Sequence, residues 1–200
     1  PKITDQHRQM RRQQIIDAAY QCFARKGFHQ TTMRDIYTEA SLSPGAIYSY
    51  FDSKDEIIQA SFVFDHQRSL DVFHAAKAGA DPLKALEELL DFLFKGLKEA
   101  AALGAGRVNV QAWGEALVNP PLLETIRSVL SSYLDSVSQL IRMAQESGQI
   151  DRSLDSYSVS RVVASLYYGL ELQKSLDDEV DVDKYAAAAK ALLRSFSQSV

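Results

Sequence analysis

The chain is predicted to be all-α: an N-terminal three-helix helix-turn-helix domain followed by a larger C-terminal helical bundle, about nine helices in total. Three observations predict it. Apolar residues recur at i, i+3, i+4 and i+7 along most of the chain, and no period-2 strand pattern or internal repeat appears. Capping residues and prolines stand where short helices would begin. Finally, the segment from Thr31 to Lys54, TTMRDIYTEASLSPGAIYSYFDSK, reads as two short helices joined by a tight turn.

The elements follow in order. A first helix over roughly 10–26 carries Ile16, Ala19, Tyr20 and Phe23 as its apolar stripe, with Arg25 and Lys26 in the last turn and Gly27 to end it. Thr32 caps a second helix, 33–40, and Asp35 stands at capping-box spacing; Ile36 and Ala40 form its apolar side. Ser43 caps a third, 44–50, whose first turn suits Pro44 and whose inward side is Ile47 and Phe51. Ser53 and Glu56 form a second capping box that opens a longer helix at Lys54. One small core around Phe23, Phe28, Ile36, Ile47 and Phe51 would hold this domain, placed at 1–53.

The remainder, 54–200, reads as helices with punctuation. The helix from Lys54 ends near Gly79, and Asp81-Pro82 starts another with Leu83, Leu86, Leu90, Leu93 and Leu97 as its stripe. Gly104 and Gly106 break that helix. A short helix over about 107–118 carries Val110, Trp113 and Leu117, and Asn119-Pro120-Pro121 stops it. A long helix follows over roughly 122–147, then two more over about 155–176 and 183–198.

A helix-turn-helix has one common physical use, which is to lay its second helix in the major groove of DNA. Candidate contacts follow from chemistry. Arg34 can reach guanine O6/N7 or a phosphate, or is a plain surface arginine. Thr32 and Ser43 leave free backbone N–H groups at their helix starts, which are phosphate ligands. Gly45 and Ala46 are small enough for close approach, and a methyl packs on the thymine C5-methyl. Ser49 lies beside them. Tyr48 and Tyr50 offer phenols to phosphate oxygens, or one of them is a core ring with a wet hydroxyl. Lys54 is the expected phosphate clamp.

At these residues the sequence resembles the tetracycline-repressor (TetR) family of bacterial transcription regulators. The resemblance lies in IIDAAYQCFARKGFHQTTMRDI followed by SPGAIYSYFDSKDEI and covers about the first 60 of 200 residues. It implies a homodimer whose N-terminal domains bind a palindromic double-stranded DNA operator and whose C-terminal domain binds a small effector that weakens DNA binding. It also implies that the position of Arg34 touches DNA, that the region of Trp113 borders the effector pocket, and that the last two long helices of two subunits pack as a four-helix bundle.

Charge agrees once it is divided. The net charge is −4, but residues 1–34 hold seven Lys/Arg against two Asp, so the first segment is +5 and the rest −9. A basic patch on an acidic body is a sufficient electrostatic footprint for DNA. Apolar residues make up 46% and charged residues 24%, which is a globular rather than a disordered composition. Cys22 is the only cysteine, so no intrachain disulfide forms; it reads as a small half-buried side chain before it reads as a redox sensor. No signal peptide or transmembrane-length run is visible, and no membrane partner is expected. The cytoplasm is the expected compartment.

In the bundle, Phe62, Phe64, Phe73, Phe92, Phe94, Trp113, Tyr133, Tyr167 and Tyr168 serve core packing first. Phe92, Trp113, Tyr167 and Glu171 are the candidates for contact with an effector. Glu171, four residues after Tyr167, suits a cationic or amine ligand, or is a solvated or interface glutamate. His66 and His74 are surface residues before they are metal ligands, and no metal or cofactor is expected. Ser165 and Gly169 permit close helix approach, and with Leu192 and Phe196 they form the candidate dimer face. The helix from Lys54 is expected to be the element that carries displacement between domains.

Three function classes compete. A ligand-responsive repressor, released by a small hydrophobic or aromatic effector, is favoured by the size of the bundle. An effector-independent helix-turn-helix protein is the alternative. An enzyme finds no support, because GxSxG, HExxH, CxxC, a Walker loop and a Glu-x-x-His pair are all missing.

Overall fold

The computed structural model describes residues 5–77, 81–102 and 105–196. Within them lie nine helices and no strand: α1 Asp5–Lys26, α2 Met33–Glu39, α3 Pro44–Tyr48, α4 Lys54–Lys77, α5 Pro82–Ala102, α6 Ala105–Ala116, α7 Pro120–Glu146, α8 Ser156–Leu176 and α9 Val182–Arg194. Gly79 and Gly104, expected as helix ends, lie outside the described residues, as do the side chains of Phe64, His66 and His74.

The expected caps are present. Thr32 Oγ1 accepts from Asp35 N at 3.2 Å while Asp35 Oδ2 accepts from Thr32 N at 2.9 Å, a complete capping box. Ser43 Oγ accepts from Ala46 N at 3.2 Å, and Pro44 fills the first position of α3. The α2–α3 turn is closed by Ser41 in the left-handed region, φ 54°. Ser41 N donates to Thr38 O and Leu42 N to Tyr37 O, at 3.1 and 3.0 Å, the paired bonds of a Schellman cap with serine where glycine is usual.

Other expectations are corrected. The Ser53 box is only half made: Ser53 Oγ accepts from Glu56 N, but the Glu56 carboxylate takes its proton from Asp52 N, one residue earlier. Helix α3 ends at Tyr48, with Ser49 as its C-cap, rather than at 50. Gly106 does not break a helix but lies in the first turn of α6, where a Cβ would come within 3.0 Å of Ser175 Oγ. Its bareness lets α6 pack close on α8. Asn119-Pro120-Pro121 opens α7 rather than ending α6: Asn119 Oδ1 accepts from Leu122 N, and the prolines occupy positions that need no donor.

Two apolar clusters hold the fold. One gathers Phe23, Phe28, Ile36, Ile47, Phe51, Ile57 and Ile58 with Val108, Ala112 and Ala116 of α6 and Leu122 of α7. The other gathers the α5 stripe (Leu86, Leu89, Leu90, Phe94, Leu97) with Val137, Leu140 and Ile141 of α7 and residues of α8 and α9. The first cluster thus extends past residue 54 into α6 and α7. Among the described residues no helix is long and apolar enough to cross a membrane.

Candidate functional site

The surface site is built on α2 and α3. Ion pairs from Arg25 to Glu39 and from Lys26 to Asp35 pin α2 to the end of α1. The Lys26 ammonium and the Thr32 N–H hold the Asp35 carboxyl far below the usual carboxylate range. Ile36 and Ile47 are fully buried beneath the two helices. What remains outward is the set expected from sequence: Thr32, Arg34, Ser43, Gly45 and Ser49 are exposed, Tyr48 is 49% exposed, and Ala46 is half-buried between them. No atom lies within 4 Å of a Cβ built on Gly45, so that position is open toward solvent. Tyr50 is half-buried against the first core and is the core ring of the tyrosine pair.

Lys54 departs from expectation. Its Nζ donates to Phe28 O at 2.7 Å and to His29 O and Thr31 O at 3.2 Å, and it sits 4.6 Å from the centroid of the Phe28 ring. The loop after α1 ends in bare carbonyls, and the ammonium satisfies them. The half-buried ammonium braces the loop after α1, where a phosphate clamp was expected.

The interior site is a cavity of about 110 Å³ where the two cores meet. Its walls come from both: Phe62 and Ile126 from the first, Leu93, Tyr133 and Tyr167 from the second, joined by Trp113, Tyr168 and Glu171. Trp113 meets Tyr168 edge to face at 5.0 Å, and Tyr168 meets Tyr167 at 5.5 Å. Of the four residues expected at a ligand, Trp113, Tyr167 and Glu171 converge here. Phe92 does not line the cavity; its neighbour Leu93 does, because one residue along α5 is a turn of about 100° around the helix. Glu171 is not solvated but 3% exposed. The Tyr133 hydroxyl is buried with no hydrogen-bond partner among the described residues, and burial drives its pKa well above the ordinary value. Burial, then the nearby Glu171 charge, pushes Tyr168 up to about 12.

A chain of polar side chains leads from this cavity to α1. Asn109 Nδ2 donates to Glu171 Oε1 at 2.7 Å. A carboxylate needs a donor, so the amide oxygen must face the other way, and there Tyr20 of α1 donates to it at 3.1 Å. Ser61 Oγ of α4 lies 3.1 Å from the same Tyr20 hydroxyl. Helix α6 makes two further ties: Gln111 Oε1 accepts from Phe28 N at 2.8 Å, and Glu115 pairs with His29 at 3.2 Å. So α4 does not stand alone between the two halves, because α6 is stapled to the same segment. Sequence reading took Tyr20 as a core residue of the α1 stripe, which its ring is; the partner of its hydroxyl is 89 positions away, and no local pattern carries that.

On the far side, α8 exposes Val162, Ser165, Leu172 and Leu176, and α9 exposes Leu192. Gly169 is half-buried, and a Cβ built on it would lie 3.9 Å from the Tyr185 hydroxyl. Phe196 packs inward on the second core, and its carbonyl accepts from Asp151 N, which takes it off the expected dimer face. Cys22 is buried, and burial, the largest effect, raises its pKa, as expected of an inert thiol.

The described residues are all helix and connecting turn, with an outward-facing helix-turn-helix and a partly open cavity joined to it, the build of a DNA-binding regulator. Comparison with known proteins narrows this. A sequence profile described as bacterial regulatory proteins, tetR family, matches residues 15–61. The transcriptional regulator UidR of Escherichia coli K12 is 26% identical over 91% of this chain and 90% of its own length. The nicotine-responsive transcriptional repressor HdnoR of Paenarthrobacter nicotinovorans is 26% identical over 84% of each chain. The structure of Salmonella enterica GusR superposes with a TM-score of 0.78 at 25% identity, covering 98% of both chains. The chain is thus similar over its N-terminal segment to the TetR family of bacterial regulatory proteins, and over most of its length to transcriptional regulators.

Proposed function

We propose that the chain is a ligand-responsive repressor. As a homodimer it binds a palindromic operator through α3, and a small hydrophobic or aromatic effector in the cavity releases it. Residues 1–53 form the DNA-reading unit and 54–200 the effector and dimerisation body. The observation that carries this reading is the Glu171–Asn109–Tyr20 chain. Asn109, itself a lining residue of the cavity, is hydrogen-bonded directly to a helix of the DNA-binding unit. A ligand that re-sorts hydrogen bonds at Glu171 therefore acts directly on α1 and, through Ser61, on α4. That a relative at 26% identity is a nicotine-responsive repressor supports the same mode of action.

The dimer follows from two arguments. One half-site read by a three-helix module binds weakly, whereas two copies read half-sites about 34–36 Å apart. The exposed apolar stripe Val162, Leu172 and Leu176 with Ser165 on α8, next to Leu192 of α9, is the surface that a second copy would cover.

Selection of bound DNA from a random pool, followed by titration of the selected operator at several salt concentrations, tests the reading. Some 6–10 phosphate contacts per dimer give a log–log slope of about −5 to −9. Arg34→Ala should make the slope shallower by about one contact per subunit or relax base preference, because Arg34 is exposed. Lys54→Ala should weaken all sequences alike while leaving the slope unchanged, because its ammonium faces inward. A chain that enriches no sequence and shows no salt dependence is not a repressor.

A further inference from the structure

We propose that α1 carries a second DNA contact, in which Arg11 and Arg12, with Arg8 one turn before them, hold backbone phosphates bordering the groove that α3 enters. This rests on the DNA-binding reading above and deepens it with residues that lie outside the helix-turn-helix.

The distribution of charge points there first. Residues 5–34 carry six Lys/Arg: Arg8, Arg11, Arg12, Arg25, Lys26 and Arg34. Two of them are neutralised inside the module, Arg25 by Glu39 and Lys26 by Asp35. The basic character of the segment therefore resides in Arg34 of α2 and in the three arginines near the start of α1. Arg8 and Arg12 are exposed and Arg11 is half-buried. The neighbouring acids are engaged elsewhere. Asp17 Oδ1 accepts from Gln13 Nε2 at 2.8 Å. Glu56 lines the same groove as Arg12, but its carboxylate accepts from Asp52 N at 2.8 Å.

Two of these arginines are held in place without a carboxylate. Arg11 Nη1 donates to Gln14 Oε1 at 2.8 Å, and Gln14 Nε2 donates to the carbonyl of Ala40, the C-cap of α2, at 3.0 Å. One amide thus ties Arg11 to the chain that enters α3. The Arg12 guanidinium lies 4.4 Å from the centroid of the Phe51 ring, just past Ser49, the C-cap of α3. The start of α1 therefore lies against both the chain entering α3 and the chain leaving it.

This placement suits phosphate. A guanidinium has five N–H donors, and Arg11 uses one of them on Gln14. Stacking on a ring occupies the face of a guanidinium and leaves its N–H edge for an anion. A planar fork that is already oriented loses less freedom when it closes on a phosphate. Arginines fixed beside a helix seated in the major groove stand next to the sugar–phosphate strand that borders it. Such contacts set affinity and register and carry no base preference.

The test uses the full-length chain, an Arg11→Gln/Arg12→Gln variant and an Arg11→Lys/Arg12→Lys variant. Each is titrated over a range of salt on selected operator DNA and on a random-sequence duplex of equal length. Each phosphate contact contributes about 0.9 to the log–log slope, so loss of about four per dimer should make the Gln variant's slope shallower by about 3–4 on both duplexes. The selected sequence should stay the same. The Lys variant keeps the charge and should recover most of the slope. A packing role would behave otherwise: loss of the Gln14 and Phe51 contacts would lower Tm and affinity but leave the slope parallel to the parent's. Thermal melting followed by circular dichroism reads the first of these. An unchanged slope in the Gln variant overturns the proposal, and so does an equal loss of slope in the Lys variant; the repressor reading survives either result if an operator was selected. Failure to select any operator counts against the repressor reading, and the random-sequence duplex then tests the arginines on its own. Absence of binding to either duplex overturns both.

Discussion

The two apolar cores differ in what they leave unfinished. The first, around Phe23, Ile36 and Ile47, is filled: its large side chains are fully buried and the loops around it are satisfied by Lys54 and Gln111. The seam between it and the second core holds a cavity, a buried carboxylate and a buried hydroxyl without a partner. Filled packing fixes the geometry of α3, which must present side chains to a rigid groove. Incomplete packing is tolerated where something else is to bind.

Substitutions of two aromatic residues should break this symmetry with opposite signs. Phe23→Ala removes a fully buried ring from the filled core and should cost about 3–5 kcal/mol, read by urea unfolding, with operator binding lost at physiological temperature. Tyr133→Phe removes only the orphaned hydroxyl and should stabilise by about 1 kcal/mol, a rise of about 2–4 °C in Tm, while weakening the bound effector. If Tyr133→Phe destabilised the protein as a core substitution does, the seam would be ordinary core.

The two regions also differ in how much the sequence shows. The outward face of α2 and α3 was legible because its determinants are local: Thr32, Asp35, Ser43 and Pro44 act within one helical turn, and Ile36 and Ile47 set which side faces out. The carbonyl partners of Lys54 were not legible because they lie 23–26 residues earlier, and a lysine after a helix-turn-helix gives no sign of which way it turns. At the cavity, periodicity placed Trp113, Tyr167 and Glu171 on the right helices. Periodicity set Leu93 in the α5 stripe, but Phe92 was singled out for its ring; Phe92, Leu93 and Phe94 are consecutive apolar residues, and the packing of α6 and α8 decides which of them faces the seam. Asn119-Pro120-Pro121 was read backwards because proline is favoured both after one helix and at the start of the next.

A smaller effect sharpens the contrast at the surface. The Lys26 ammonium and the Thr32 N–H depress the folded-state pKa of Asp35. A depressed carboxylate contributes stability that is complete above its unfolded value, about 3.9, and is lost as pH falls toward the folded one. Asp35→Asn should therefore flatten the acid limb of the stability–pH curve below about pH 4 and leave the neutral region nearly parallel to that of the parent protein.

The central claim is that cavity and DNA surface are coupled through Asn109. Calorimetric titration of an effector into the free protein and into the protein saturated with selected operator tests it directly. Coupling of this kind is typically about 1–3 kcal/mol, so operator should weaken effector binding by about 5–150-fold, and effector should weaken operator binding by the same factor. Equal effector affinities in the two titrations would contradict the account and leave an effector-independent DNA-binding protein in its place.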